Sequence, residues 1–309
     1  PIWLSQSIDP RHAHRHQIHD KVGSAMTLVV FDLDGTLLNK QSRISSFTAD
    51  TLEMMRARNI RYTVATGRTL QAAVGPLTHH HFVLPMILKN GAIIWSPEEA
   101  RYSHHHLLTR QEVWHVLAAF TLNELTPFVF ALDDGYRHAL YHGPLRSRSE
   151  EKLAELFEAE RSLPLEPLSK LPEEVRVINV FSLGTLTAVD RVRASISGES
   201  HLVAYSGVAI HEPELGGRST KDHALHWIDI HHSKGSKGNA INHLRSELEI
   251  DHVIAFGDGD NDLSMFQCAD EGYAPQNADP ALLDIADKII GHHDEDGVAH
   301  FLRERFDLN

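Results

Sequence analysis

The chain has 309 residues, 42% hydrophobic and 23% charged, a globular composition with length enough for more than one domain. Its formal net charge of -13 sets it against nucleic acid and anionic membranes as partners, and no apolar run reaches the roughly 20 residues that span a bilayer. A single cysteine, Cys268, excludes an internal disulfide framework and fits a reducing cytoplasm.

Residues 1–25 differ in character from the rest of the chain. The stretch from Arg11 to His19 is rich in alternating histidines and lacks the apolar centre of a secretory signal. An appended leader or a disordered extension is expected, with a metal-binding tail as the alternative. Two later runs, His79-His80-His81 and His104-His105-His106, are read as solvated surface.

From Met26 onward strands and helices alternate. Thr27–Leu33 is a continuous apolar run of the kind that fills a parallel sheet. A helix is expected over Phe47–Asn59, capped by Ser46 or Thr48, then a strand over Arg61–Ala65 and a helix over Arg68–Leu77. A third strand over Pro85–Lys89, the Asn90-Gly91 turn and Ala92–Trp95 complete a parallel βαβαβ opening. The middle changes character. A helix over Glu112–Leu125 precedes two strands, Phe128–Leu132 and Tyr136–Tyr141, around the hairpin turn Asp133-Asp134-Gly135. Helix Glu150–Glu160, strand Val175–Leu183, helix Thr185–Ser197 and strand His201–Ala204 follow, and Arg218–Trp227 reads as extra material. Alternation then resumes with helix Asn239–Glu249, strand His252–Phe256, helices Asp262–Cys268 and Pro280–Ala286, strand Lys288–Ile290 and helix Val298–Phe306. The fold class is α/β, a doubly wound, mainly parallel Rossmann-like core with an inserted α+β cap. Residues 26–106 and 216–309 are assigned to the core and 107–215 to the cap.

Four segments carry chemistry. Asp32 and Asp34, in Asp32-Leu33-Asp34-Gly35-Thr36, leave the carboxyl end of the first strand, where open α/β sheets gather ligands. Thr66-Gly67-Arg68 follows the second strand and offers a hydroxyl and backbone N–H groups to an anion. Lys234-Gly235-Ser236-Lys237-Gly238 precedes a helix but lacks the spacing of a nucleotide-cradling loop. Gly257-Asp258-Gly259-Asp260-Asn261-Asp262 ends another apolar strand. It is not an EF-hand, because Leu263 and Ala269 occupy the positions that need Gly and Glu. Acids so crowded are best relieved by a hard divalent cation.

In this order the four segments resemble the motifs of the haloacid dehalogenase superfamily: DxD, Ser/Thr, Lys, and an acidic GDxxND. Thr66-Gly67-Arg68, Asn90-Gly91-Ala92 and Asn277-Ala278 resemble the Cof-like branch, which carries a type-IIB cap. Lys237 is preferred to Lys234 because Gly238-Asn239-Ala240-Ile241 resembles that branch's helix start.

The resemblance implies a phosphatase acting on small phosphate esters such as sugar phosphates, with Asp32 as nucleophile and Asp34 as general acid and base. It implies Mg2+ held by Asp32, the Asp34 backbone carbonyl and Asp258, with Asp262 acting through a water. Thr66, Lys237 and Asn261 would take the phosphoryl oxygens, and Gly67, Arg68, Asn90 and Gly91 would lie beside the substrate. The cap is expected to close over the site. A monomer or homodimer is expected. A phosphomutase and a non-catalytic phosphometabolite-binding regulator are the alternatives.

Overall fold

The computed structural model describes residues 26–133, 137–161, 165–174, 176–209 and 224–308. The histidine-rich leader, and Asp134 and Gly135 of the expected hairpin turn, lie outside them.

The chain opens with β1 (Thr27–Phe31), α1 (Ser46–Ala57), β2 (Arg61–Val64) and α2 (Leu70–Leu77). Leu28 and Val30 of β1 enter one apolar cluster, Val29 and Phe31 another, so both faces of the strand are covered. Ser45 caps α1 by accepting from the Thr48 N–H. Thr69 caps α2 in the same way, so this helix begins at Leu70 and leaves Arg68 in the preceding turn. β3 (Met86–Leu88), β4 (Ile93–Ser96) and β5 (Arg101–His105) come next. β3 keeps the expected parallel sense beside β2, and β3, β4 and β5 then pair antiparallel as a meander. A parallel bridge between Ala65 and Ile87 joins this meander to the end of β2.

The inserted unit runs through α3 (Arg110–Leu122), β6 (Phe128–Leu132), β7 (His138–His142), α4 (Arg148–Arg161), β8 (Leu165–Pro167), β9 (Arg176–Gly184), α5 (Leu186–Ile196), β10 (Leu202–Val208) and β11 (His226–His232). Its six strands lie in the order β10-β11-β9-β6-β7-β8. α3 and α5 cover one face of this sheet through Val116, Phe120, Val189 and Val192. β11 pairs with both β9 and β10, so the six-stranded sheet continues beyond the expected return at residue 216, through His232. Sequence pattern misses this strand because Asp229 and His231, polar but buried, break its apolar run.

The chain closes with α6 (Lys237–Glu247), β12 (His252–Phe256), α7 (Leu263–Cys268), β13 (Glu271–Pro275), α8 (Pro280–Leu283), β14 (Lys288–Ile290) and α9 (Gly297–Phe306). The core sheet has the order β14-β13-β12-β1-β2, parallel throughout. α1 and α9 lie on one face, α6 and α7 on the other. The sequence jumps from β1 to β12 across the sheet centre, so the loops after β1, β2 and β12 meet at one edge. No helix among the described residues is long and apolar enough to cross a membrane.

Beneath that edge, Phe256 has no exposed surface and its ring centroid lies 5.5 Å from those of Phe31 and Tyr273. Phe256→Ala is expected to lower stability by about 3–5 kcal/mol, read as a lower midpoint in urea unfolding.

Candidate active site

Asp32 continues the ladder of β1, its N–H donating to the Phe256 carbonyl at 2.8 Å. This sets its carboxylate at the sheet edge, 6% exposed. Lys237 is the first residue of α6, whose N-cap Ser236 accepts from the Asn239 N–H. Its Nζ is carried into the same space and donates to Asp32 Oδ1 and Asp262 Oδ1, both at 2.6 Å. Lys237 and Asp262 are fully buried. The other oxygen of Asp262 accepts the N–H groups of Asp258 and Gly259 at 2.9 and 3.0 Å, so this carboxylate folds the loop after β12 back on itself. Asp258 Oδ1 accepts the Thr36 hydroxyl at 3.1 Å.

Gly35 makes the close approach of these two loops possible. Its φ is +75°, and a Cβ there would meet Asp258 Oδ2 at 2.1 Å. The Asn277 side chain holds the same turn, donating to the Gly35 carbonyl at 2.8 Å.

Asp34 points away from the buried cluster. Its side chain is 57% exposed, and both its oxygens accept from Arg68, through Nε at 2.8 Å and Nη2 at 2.6 Å. Arg68, expected beside the substrate, is thus engaged by an acid of the first motif and by the Ala72 carbonyl. Thr66 is buried two residues beyond the end of β2, its hydroxyl accepting the Arg68 N–H at 3.1 Å. Asn90 and Asn261 meet, the Asn261 amide donating to Asn90 Oδ1 at 2.9 Å. Gly67 packs against the Asn90 amide and Gly91 against the Ser236 backbone. Lys234 is exposed, donating its backbone N–H to His232.

The electrostatics are dominated by carboxylate crowding. Burial, opposed by Lys237 and reinforced by Asp262, Asp258 and Asp34, holds Asp32 well above the ordinary carboxylate range. Burial and the charge of Asp262 push Asp258 up to about 7, against Lys237 and the Thr36 hydrogen bond. Burial disfavours the charged form of Lys237, but Asp262 and Asp32 outweigh it and raise its pKa. One ammonium therefore faces more negative charge than it neutralises. Carboxylate oxygens of Asp32, Asp258 and Asp262 lie within 4.8 Å of one another. A hard divalent cation fits this donor set. Both oxygens of Asp262 are occupied by donors, so Asp32 and Asp258 are the acids available to hold it directly.

The sequence shows Thr36 and Asn277 only as members of motifs. Each braces the loops through one hydrogen bond, and nothing local distinguishes such bonds from ordinary turn chemistry. Asn179, Asp229 and His231 lie buried on strands of the inserted sheet, and polar residues at inward positions of a strand were their signal.

A family model for haloacid dehalogenase-like hydrolases matches residues 29–302. The phosphatase YwpJ of Bacillus subtilis is 28% identical, over 90% of this chain and 99% of its own. The 5-amino-6-(5-phospho-D-ribitylamino)uracil phosphatase YitU of the same organism is 26% identical, over 91% and 98%. Among solved structures, the subclass IIB sugar phosphatase BT4131 superposes with a TM-score of 0.70 at 22% identity, over 92% of this chain and 100% of its own.

Crowding gives a pH signature. The folded pKa of Asp258 lies above its ordinary 3.8, so its protonated form contributes stability fully below that value, and the contribution is lost as pH rises through about 7. In chelator, Asp258→Asn is expected to melt above the wild type at pH 8, the difference shrinking towards pH 4. Added Mg2+ should reverse the order at pH 8. Calorimetric melting across pH, with and without the ion, checks both signs.

Proposed function

The chain belongs to the haloacid dehalogenase-like hydrolases, and from that premise we propose that it is a Mg2+-dependent phosphomonoesterase of small phosphorylated metabolites, sugar phosphates among them. The supporting observation is the buried cluster at the sheet edge, in which Lys237 bridges Asp32 and Asp262 while Asp258 stands beside them with its proton affinity raised.

In this reading Asp32 attacks phosphorus in line and becomes an aspartyl-phosphate as the leaving alcohol departs. Asp34 protonates that alcohol, then takes a proton from the water that opens the intermediate. Arg68 has two anionic claimants, Asp34 and the incoming phosphate. Its transfer to the substrate would release Asp34 to carry a proton. Lys237, Thr66 and Asn261 receive the phosphoryl oxygens as charge spreads over them. Asp262 acts at one remove, fixing Lys237 and the Asp258 loop. Asp32, Asp258 and the Asp34 backbone carbonyl would hold Mg2+, whose charge, when bound, lets a dianionic ester approach these acids and polarises its phosphoryl group.

A covalent intermediate that returned its phosphoryl to another hydroxyl would make the protein a mutase, and free phosphate among the products decides between the two. The names of the relatives favour hydrolysis.

Asp32→Asn is expected to abolish release of phosphate from p-nitrophenyl phosphate with the fold kept, the swap being nearly isosteric. Asp34→Asn should reduce turnover by roughly 10²–10⁴-fold. Lys237→Ala should be far more damaging than Lys234→Ala, and EDTA should silence the wild type until Mg2+ is restored. Steady-state phosphate release measures all four. Near-normal turnover by Asp32→Asn would remove the nucleophile.

A further inference from the structure

The face of the six-stranded sheet turned away from α3 and α5 is not uniformly apolar. Val180, Ile228 and Ile230 point into the cluster beneath those helices. The alternate positions carry Asn179, Asp229 and His231, each at most 6% exposed. Register places Asn179 across from His231, and Asp229 across from Tyr205. Two links put this polar patch over the catalytic cluster. Asn179 is also the cross-strand partner of Phe130, and the Lys89 ammonium lies 4.0 Å from the Phe130 ring centroid. Lys89 belongs to the same turn as Asn90, which accepts from Asn261. On the other side, the Tyr205 ring centroid lies 5.3 Å from that of His231, and its hydroxyl lies within the fields of Lys237, Asp260 and Asp262.

Chemistry fixes the polarity of the patch. Asn179 Nδ2 donates to Asp229 Oδ1 at 2.5 Å, and a carboxylate only accepts, so Asn179 Oδ1 is turned elsewhere. His231 Nδ1 lies 3.1 Å from the His232 carbonyl, which also only accepts, so Nδ1 carries the proton and Nε2 is an acceptor. Burial keeps the imidazole neutral by lowering its pKa. Asn179 Oδ1 and His231 Nε2 are both fully buried and have no hydrogen-bond partner. Two adjacent acceptors without donors, facing a reaction site, are a complement in search of O–H or N–H groups.

We infer that Asn179 and His231 are specificity-determining residues that accept hydrogen bonds from hydroxyl or amine groups of the leaving alcohol, selecting esters that carry such donors over those that do not. This rests on the phosphatase reading above. Asp229 orients Asn179 from behind, and Tyr205 flanks His231.

The test compares kcat/KM for glucose 6-phosphate, ribose 5-phosphate and glycerol 1-phosphate with that for propyl phosphate and p-nitrophenyl phosphate. The wild type should prefer at least one hydroxylated ester to propyl phosphate. In Asn179→Leu and in His231→Phe, the ratio of that ester to p-nitrophenyl phosphate should fall roughly tenfold, the scale of one hydrogen bond. His231→Gln, which keeps an acceptor at this position, should recover most of the ratio, and it serves as the folded comparison if the phenylalanine variant melts. Rates that fall together on all substrates, ratios that do not move, or a wild type with no preference for any hydroxylated ester would each overturn the assignment. A wild type that fails on p-nitrophenyl phosphate itself would strike down the phosphatase reading and this inference with it.

Discussion

A buried lysine between two buried carboxylates is the interaction on which the rest of the structure depends. Moving Lys237 and Asp262 wholly out of water is favourable only because each satisfies the other at hydrogen-bond distance, with Asp32 completing the pair. The three residues come from the start of α6, the loop after β12 and the end of β1, so the ion cluster fastens three chain segments at the sheet edge. Its charges do not balance. The excess negative charge raises the proton affinity of Asp32 and Asp258, and that unrelieved field is what a divalent ion or a proton relieves. A site that bound its own charges perfectly would have nothing left with which to hold a metal.

The inserted unit meets this site through chemistry of a different kind. The core offers charge, whereas the sheet above it carries the acceptors of Asn179 and His231 beside a buried aromatic cluster of Phe128, Phe130 and Phe181 around Phe157. Under the proposed function, charge suits the phosphoryl group that every substrate shares, and neutral acceptors suit the part of the ester that differs between substrates. Division of labour between the two sheets therefore follows from what each can bury.

Much of this was legible in the sequence, for reasons that can be stated residue by residue. Asp32 and Asp258 follow strongly apolar strands, so their placement at a sheet edge follows from the segments and needs no contact information, whereas Lys237 was legible only through the resemblance of its helix start. The core strands β1 and β12 were readable because they are buried on both faces and therefore apolar at nearly every position. β11 was not readable, since its inward positions are polar: Asp229 is buried against the Asn179 amide and His231 beside the Tyr205 ring. β13 escaped for a related reason. Its sequence, Glu-Gly-Tyr-Ala-Pro, is poor in strand formers, and Glu271 is held by His252, Arg305 and the Tyr273 hydroxyl. The pairing of Arg68 with Asp34 was beyond reach for another reason. It depends on Thr69 capping α2, which leaves Arg68 outside the helix and able to reach back across the sheet edge.

The turn between β3 and β4 binds these parts mechanically. Lys89, Asn90 and Gly91 all have positive φ, at 48°, 57° and 97°, a costly run for two residues that carry side chains. What holds it is contact on every side. The N–H groups of Lys89 and Asn90 donate to the Arg68 and Thr66 carbonyls, Asn90 receives Asn261, and Lys89 reaches Phe130 of the inserted sheet. Gly91 lies so close to Ser236 that a Cβ would meet its carbonyl oxygen at 2.2 Å, directly beside the residue that presents Lys237. Both chain crossings into the inserted unit pass here as well, since His106 donates to the Ala92 carbonyl and Gly235 packs against the Ala92 backbone. Movement of the inserted sheet cannot leave this turn undisturbed, and the turn touches the lysine helix, the threonine loop and the acidic loop together. Lys89, Asn90 and Gly91 thus tie the inserted sheet to the groups at the sheet edge through three consecutive residues of one left-handed turn.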